Sequence, residues 1–271
     1  MKFHTQLQLN KENKPKASTG DFEYIFPRLG LKGCAAQLYD TLSETISEYI
    51  EDERLRPTDK FDIMYSMYAD GTESFFKING EEMEGESYFI GDFFEMLPEV
   101  MILIHGSNAS IRGMTHEQAD AIYTHDFNDM EEPGEIDVSI CFPEDPNKIP
   151  DYLSHARTEI IGLLVHEMQH AVQKLVYGVN LSADVVEGLE SHIEDIFEVD
   201  SRVEEVLGRL PEHIDDNDEN SFIMELKRYI EQYLARNAQQ FSTDDIEDMK
   251  EKMIETHVFH YRRKLGKNNV L

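Results

Sequence analysis

In this chain of 271 residues, Asp and Glu number 55 against 25 Lys and Arg, giving a formal charge of −30. Nucleic-acid backbones and anionic membranes repel such a charge, so direct binding to either is not expected; the acidity fits a solvated surface, basic partners or imitation of DNA charge. An apolar content of 40% supports a sizeable core and excludes global disorder, and two cysteines, Cys34 and Cys141, give no disulfide framework.

The opening Met1 to Lys16 has no apolar core of signal-peptide length, and runs such as Val100 to Ile104 are too short to span a bilayer. A soluble cytoplasmic protein with reduced thiols is therefore expected. Phe3 to Leu9 alternates as a strand would. Leu38, Leu42, Ile46 and Ile50 form a helical stripe within Cys34 to Ile50. Phe61 to Tyr68 and Phe75 to Ile78 flank an Asp70-Gly71 turn signal and read as a hairpin. Tyr88 to Leu97 fits either a helix or a strand, and Glu99 to His105 reads as a strand. The Thr115-His-Glu-Gln118 pattern resembles a capping box and predicts a short helix to Asp126. Ile136, Val138, Ile140 and Phe142 alternate as in a half-buried strand, which Pro143 ends.

From Asp151 the pattern turns helical: Asp151 to Tyr177, Ala183 to Leu210, Ser221 to Arg236 and Thr243 to Leu265, with the Asp/Glu runs read as solvated faces and Pro211 to Asn220 as an acidic loop. The expected layout is α+β, with a mixed sheet in residues 1–150 and a largely helical part in 151–271, together forming one integrated domain.

The first of these helices carries His166-Glu167-Met168-Gln169-His170 behind the apolar turn Ile160 to Val165. Histidines four apart share a helix face, so both imidazoles can reach one zinc ion, and Glu167 can take a proton from a water that the ion activates. Gly162, one turn earlier, suggests a close helix approach. A catalytic zinc site needs a third protein ligand and one open position. His192 stands among acidic residues, and Val176 occupies the place of a metzincin's third histidine. A carboxylate is the natural alternative, with Glu187, Glu190, Glu194 and Glu198 as candidates.

His166-Glu-Met-Gln-His170-Ala-Val-Gln173, followed by Glu198-Val-Asp200-Ser-Arg202, resembles the gluzincin-type metallopeptidases. It looks most like the HExQHxxQ…ExEAR form of zincin domains associated with phages and mobile elements. Asp200 stands where that form often has Glu, and Ser201 where it often has Ala. The resemblance covers residues 158–205 and implies a zincin-like fold, Glu198 as third zinc ligand in preference to Glu194, and zinc-dependent peptide hydrolysis. It also implies a peptide or protein substrate, a basic one given the charge, lying along an edge strand, for which Glu135 to Phe142 is the candidate. Arg202, one turn after Glu198, can orient it, and His257 or Tyr261 can stabilise an oxyanion. Two other functions are compatible with the motif: a catalytically inactive, virion-associated or host-binding zincin-like protein, and a hydrolase acting on another bond.

Overall fold

A computed structural model describes residues 30–67, 74–83, 100–124, 134–177, 196–236 and 243–266. The predicted strand at Phe3 to Leu9, the segment Tyr88 to Leu97 and the glutamates Glu187, Glu190 and Glu194 lie outside these residues.

The chain is α+β. Helix α1 (Leu31–Glu53) is followed by strands β1 (Asp62–Met67), β2 (Ser74–Ile78), β3 (Glu81–Glu82), β4 (Val100–Ser107), β5 (Gln118–Thr124) and β6 (Gly134–Cys141). Four helices complete it: α2 (Ile149–Tyr177), α3 (Ile196–Arg209), α4 (Glu219–Arg236) and α5 (Thr243–Lys264). The mixed sheet has the order β3-β2-β1-β4-β6-β5, antiparallel except for the β4–β6 pair.

The α1 stripe reads through, since Leu38, Leu42, Ile46 and Ile50 are all buried. It shares one hydrophobic cluster with Ile102 and Ile104 of β4, with Ile136, Val138 and Ile140 of β6, and with Ile160, Leu164 and Val165 of α2. A one-residue slip of β6 would turn its three apolar side chains outward at about 1.5–3 kcal/mol each, which fixes the register. This cluster runs past residue 150, so the change of sequence character there falls inside a core. A second cluster joins Val203 and Val206 of α3 to Phe222 and Leu226 of α4 and Met253 and Tyr261 of α5.

Three expectations are corrected. Residues 118–124 form strand β5 where a helix was predicted. Half of the capping box does form, with the Thr115 N–H donating to Gln118 Oε1 at 3.0 Å. However, Glu117 takes a left-handed turn (φ 64°), and the chain then pairs along β6 with Ala119, Ala121 and Tyr123 against the core. Sheet pairing outweighs the local cap. Second, Glu135 to Phe142 is not an edge: β6 lies between β4 and β5, and β5 is the terminal strand. Its alternation matched an edge strand because Glu135 and Asp137 on its other face stay partly exposed.

Third, the charges of α3 are not a solvated face. Val199 to Leu210 is buried all round, Glu204 and Glu205 included, because α2 covers one side and α4 and α5 the other. The crossing of α2 and α3 is close. A Cβ on Gly162 would lie 2.8 Å from Arg209 Cγ, and one on Gly208 would lie 3.2 Å from Val165 Cγ2. The close approach anticipated from Gly162 is therefore present.

Candidate metal centre

The α2–α3 crossing brings the motif histidines against Glu198 in the first turn of α3. His166 Nε2 and His170 Nε2 stand 3.1 Å apart. Glu198 presents Oε1 at 3.3 Å from His170 Nε2 and Oε2 at 3.7 Å from His166 Nε2. A tetrahedral zinc ion with ligands at about 2.0–2.1 Å has ligand–ligand edges of about 3.3–3.4 Å. The three separations bracket that edge, and the side chains of all three residues are 13–17% exposed, so the cluster meets solvent. Among the described residues this is the one group of His, Cys, Asp or Glu side chains close enough to share an ion.

The outer nitrogens fix the tautomers. His166 Nδ1 lies 3.0 Å from Glu205 Oε2. Burial opposes the charge of Glu205, but the hydrogen bond from His166 and the guanidinium of Arg209 hold its carboxyl down to about 2. An ionised carboxylate can only accept, so His166 Nδ1 is the donor. His170 Nδ1 donates to Gln173 Oε1 at 2.9 Å, with Ser201 Oγ at 3.3 Å. The amide of Gln173 cannot flip, because its Nε2 donates to Asp200 Oδ2 at 3.0 Å and to Ser201 Oγ at 3.1 Å. Both Nε2 lone pairs therefore point at each other and at a carboxylate, a set that is repulsive until a cation sits among it. In the metal-free chain a proton takes that place. Burial works against it, yet Glu198 and Glu167 push His170 up to about 9, while His170, His166 and Arg202 hold Glu198 well below the carboxylate range against its own burial. The donor set fits zinc.

Glu167 is buried within electrostatic reach of His166, His170 and Glu198, and takes a hydrogen bond from the Tyr123 backbone of β5. Burial raises its pKa, and the neighbouring histidines only partly offset this. Arg202 places its guanidinium 3.6 Å from Glu198 and 5.1 Å from the Tyr233 ring centroid. The other two predicted positions lie elsewhere. His257 is buried with Nδ1 2.7 Å from the Met253 carbonyl, and burial with the charge of Arg202 holds it down to about 3, so it is neutral. Tyr261 stacks on Phe222 in the second cluster and donates its hydroxyl to the Asp216 carbonyl.

Sequence reasoning missed Arg209 and Lys264, and it did not place Glu205, Asp200 or His260 in the contacts they make here. Gln169 and Gln173 match the resembling motif and also read as ordinary polar helix positions; both are fully buried and both donate to Asp200 Oδ2, Gln169 at 2.6 Å. Their spacing of one helical turn and their places in the HExQHxxQ pattern were the local signals. Compared with protein-family models, curated proteins and solved structures, the chain matches none.

Proposed function

We propose that the chain is a zinc-dependent metallopeptidase of zincin-like fold. The observation that carries this reading is the cluster of His166 Nε2, His170 Nε2 and the Glu198 carboxylate, one oxygen near each imidazole, at separations close to the edge of a zinc tetrahedron, with both Nδ1 atoms committed to acceptors. Three donors among the described residues leave the fourth corner to water and substrate, as catalysis requires. When bound, zinc supplies Lewis acidity that makes water a nucleophile near neutral pH and polarises a carbonyl.

The protein's own groups do the remaining work. Glu167, beside both ligands, takes the proton of the attacking water and returns it to the leaving amine. Glu205 and Gln173 hold the two imidazoles in the tautomer that faces inward. Arg202 steadies Glu198 from behind.

A peptide substrate is supported by β5. It is the terminal strand, it lies against α2, and the Tyr123 N–H reaches Glu167 rather than β6. In an antiparallel ladder alternate residues turn their backbone groups outward, so Ala119 and Ala121, in the phase of Tyr123, would present theirs to an extended peptide. Exposed Glu117 and Asp120 near that edge suit a basic substrate.

Glu167→Gln tests the assignment. It should keep the zinc and lower kcat on a peptide library by about 10²–10⁴. Full activity in Glu167→Gln would remove Glu167 from the reaction. A wild type that holds zinc but cleaves nothing would favour the zincin-like binding protein.

A further inference from the structure

The carboxylate of Asp200 is shared between two helices, one oxygen to each. Its Oδ2 accepts from Gln169 and Gln173 of α2, and its Oδ1 accepts from Lys264 Nζ at 2.6 Å and lies 2.9 Å from His260 Nε2, both on α5. Asp200 is fully buried, and Lys264, 1% exposed, also contacts Glu204 at 2.6 Å. A lysine placed this deep is costly unless its charge is matched, and here it matches two carboxylates of α3. It sits in the last turn of α5, 94 residues beyond His170 in sequence (264 − 170).

We propose that Lys264, with His260, is a positioning residue of the metal centre. By neutralising Asp200 on the α5 side, the pair leaves Oδ2 to hold the two glutamines of α2. Gln173 can then present only its carbonyl oxygen to His170, which keeps that ring with Nδ1–H outward and Nε2 toward the ion. Helix α5 thus sets, through Asp200, the orientation of a ligand carried by α2, three helices earlier. This proposal rests on the metal-site reading above. It predicts that α5 governs zinc affinity without contributing a ligand.

The test compares the full chain with Lys264→Met, with Lys264→Met/Glu204→Gln, which removes the surplus charge if the single variant does not fold, and with His260→Phe. Leu226→Ala, in the second cluster, serves as a control of lowered stability. Zinc affinity is measured by chelator competition, ligand geometry by the visible spectrum of the cobalt-substituted chain, and the glutamine contacts by exchange protection of the Gln169 and Gln173 side-chain amides in the metal-free chain. The expected result for folded Lys264 variants is zinc affinity lower by about 10–100-fold, an altered cobalt spectrum and lost amide protection, with a smaller loss in His260→Phe. Leu226→Ala should keep all three at wild-type values. Folded variants with wild-type affinity, spectrum and protection would overturn the proposal, as would equal losses in Leu226→Ala. A wild type that binds no zinc would overturn the metal site instead, and amide protection, which needs no metal, would then decide the role of Lys264 by itself.

Discussion

The sheet-side core and the α2–α3 seam are equally buried but held together by different forces. In the first, Ile102, Ile104, Ile136 and Val138 meet α1 and α2 with apolar atoms only. In the second, Glu205, Arg209, Asp200, Lys264, Gln169 and Gln173 are withdrawn from water and paired with one another. Apolar packing tolerates exchange of one hydrocarbon for another of similar volume. A buried ionic seam gives little net stability, since desolvation consumes most of the attraction, but it is intolerant of losing one partner. The seam is therefore better explained by what it orients, the two histidines, than by what it stabilises.

The largest expected effect breaks the seam at one partner. Glu205→Leu leaves Arg209 buried without its 2.6 Å partner and should cost about 3–5 kcal/mol in urea unfolding. The double variant Glu205→Leu/Arg209→Met should regain most of that stability while binding zinc about 10–100-fold more weakly, since His166 Nδ1 has lost its acceptor. Unchanged zinc affinity in the double variant would mean that the seam does not orient the site. The sheet-side core should behave in the opposite way. Ile102→Ala should cost about 2–5 kcal/mol and leave the zinc affinity of the folded chain unchanged.

The seam also carries a pH signature. His170 is pushed up to about 9 in the metal-free fold, from an ordinary value of 6.5. A raised folded pKa stabilises fully below pH 6.5, and that contribution, on the order of 3 kcal/mol, disappears as pH rises toward 9. Glu205, held down to about 2, acts with the opposite sign: its contribution is present above pH 4.5 and fades as pH falls. The Tm of metal-free protein should therefore drop between pH 6.5 and 9. Added zinc should cancel the drop, because binding favours deprotonated imidazoles. A flat metal-free profile over that range would contradict the arrangement. The smallest change is Gly162→Ala, whose methyl group meets Arg209; it should cost about 1–3 kcal/mol and weaken zinc binding modestly, seen by calorimetry.

How much of this was legible in the sequence follows the same division. The α1 stripe, the alternation of β6 and the histidine pair all depend on neighbours within one or two turns, so periodicity exposed them. Strand β5 was misread because its local signal, a real Thr115–Gln118 contact, favours a helix, while its pairing partner lies beyond the segment. The acidic run of α3 was misread because charge alone does not reveal burial. The partners that permit it, Arg209 apart, stand far away: His166 is 39 residues from Glu205 and Lys264 is 64 from Asp200. The spacing of the two histidines along one helix is a local property. The shell that orients them is a tertiary one.

The central claim is that His166, His170 and Glu198 hold one zinc ion, and metal content of the purified chain tests it most directly. Wild type, His166→Ala and Glu198→Ala would be loaded with zinc, freed of excess and measured by elemental analysis. The account predicts about one zinc per wild-type chain and none in either variant. Wild-type protein without zinc after loading would contradict the metal centre, and zinc retained by Glu198→Ala would contradict Glu198 as its third ligand.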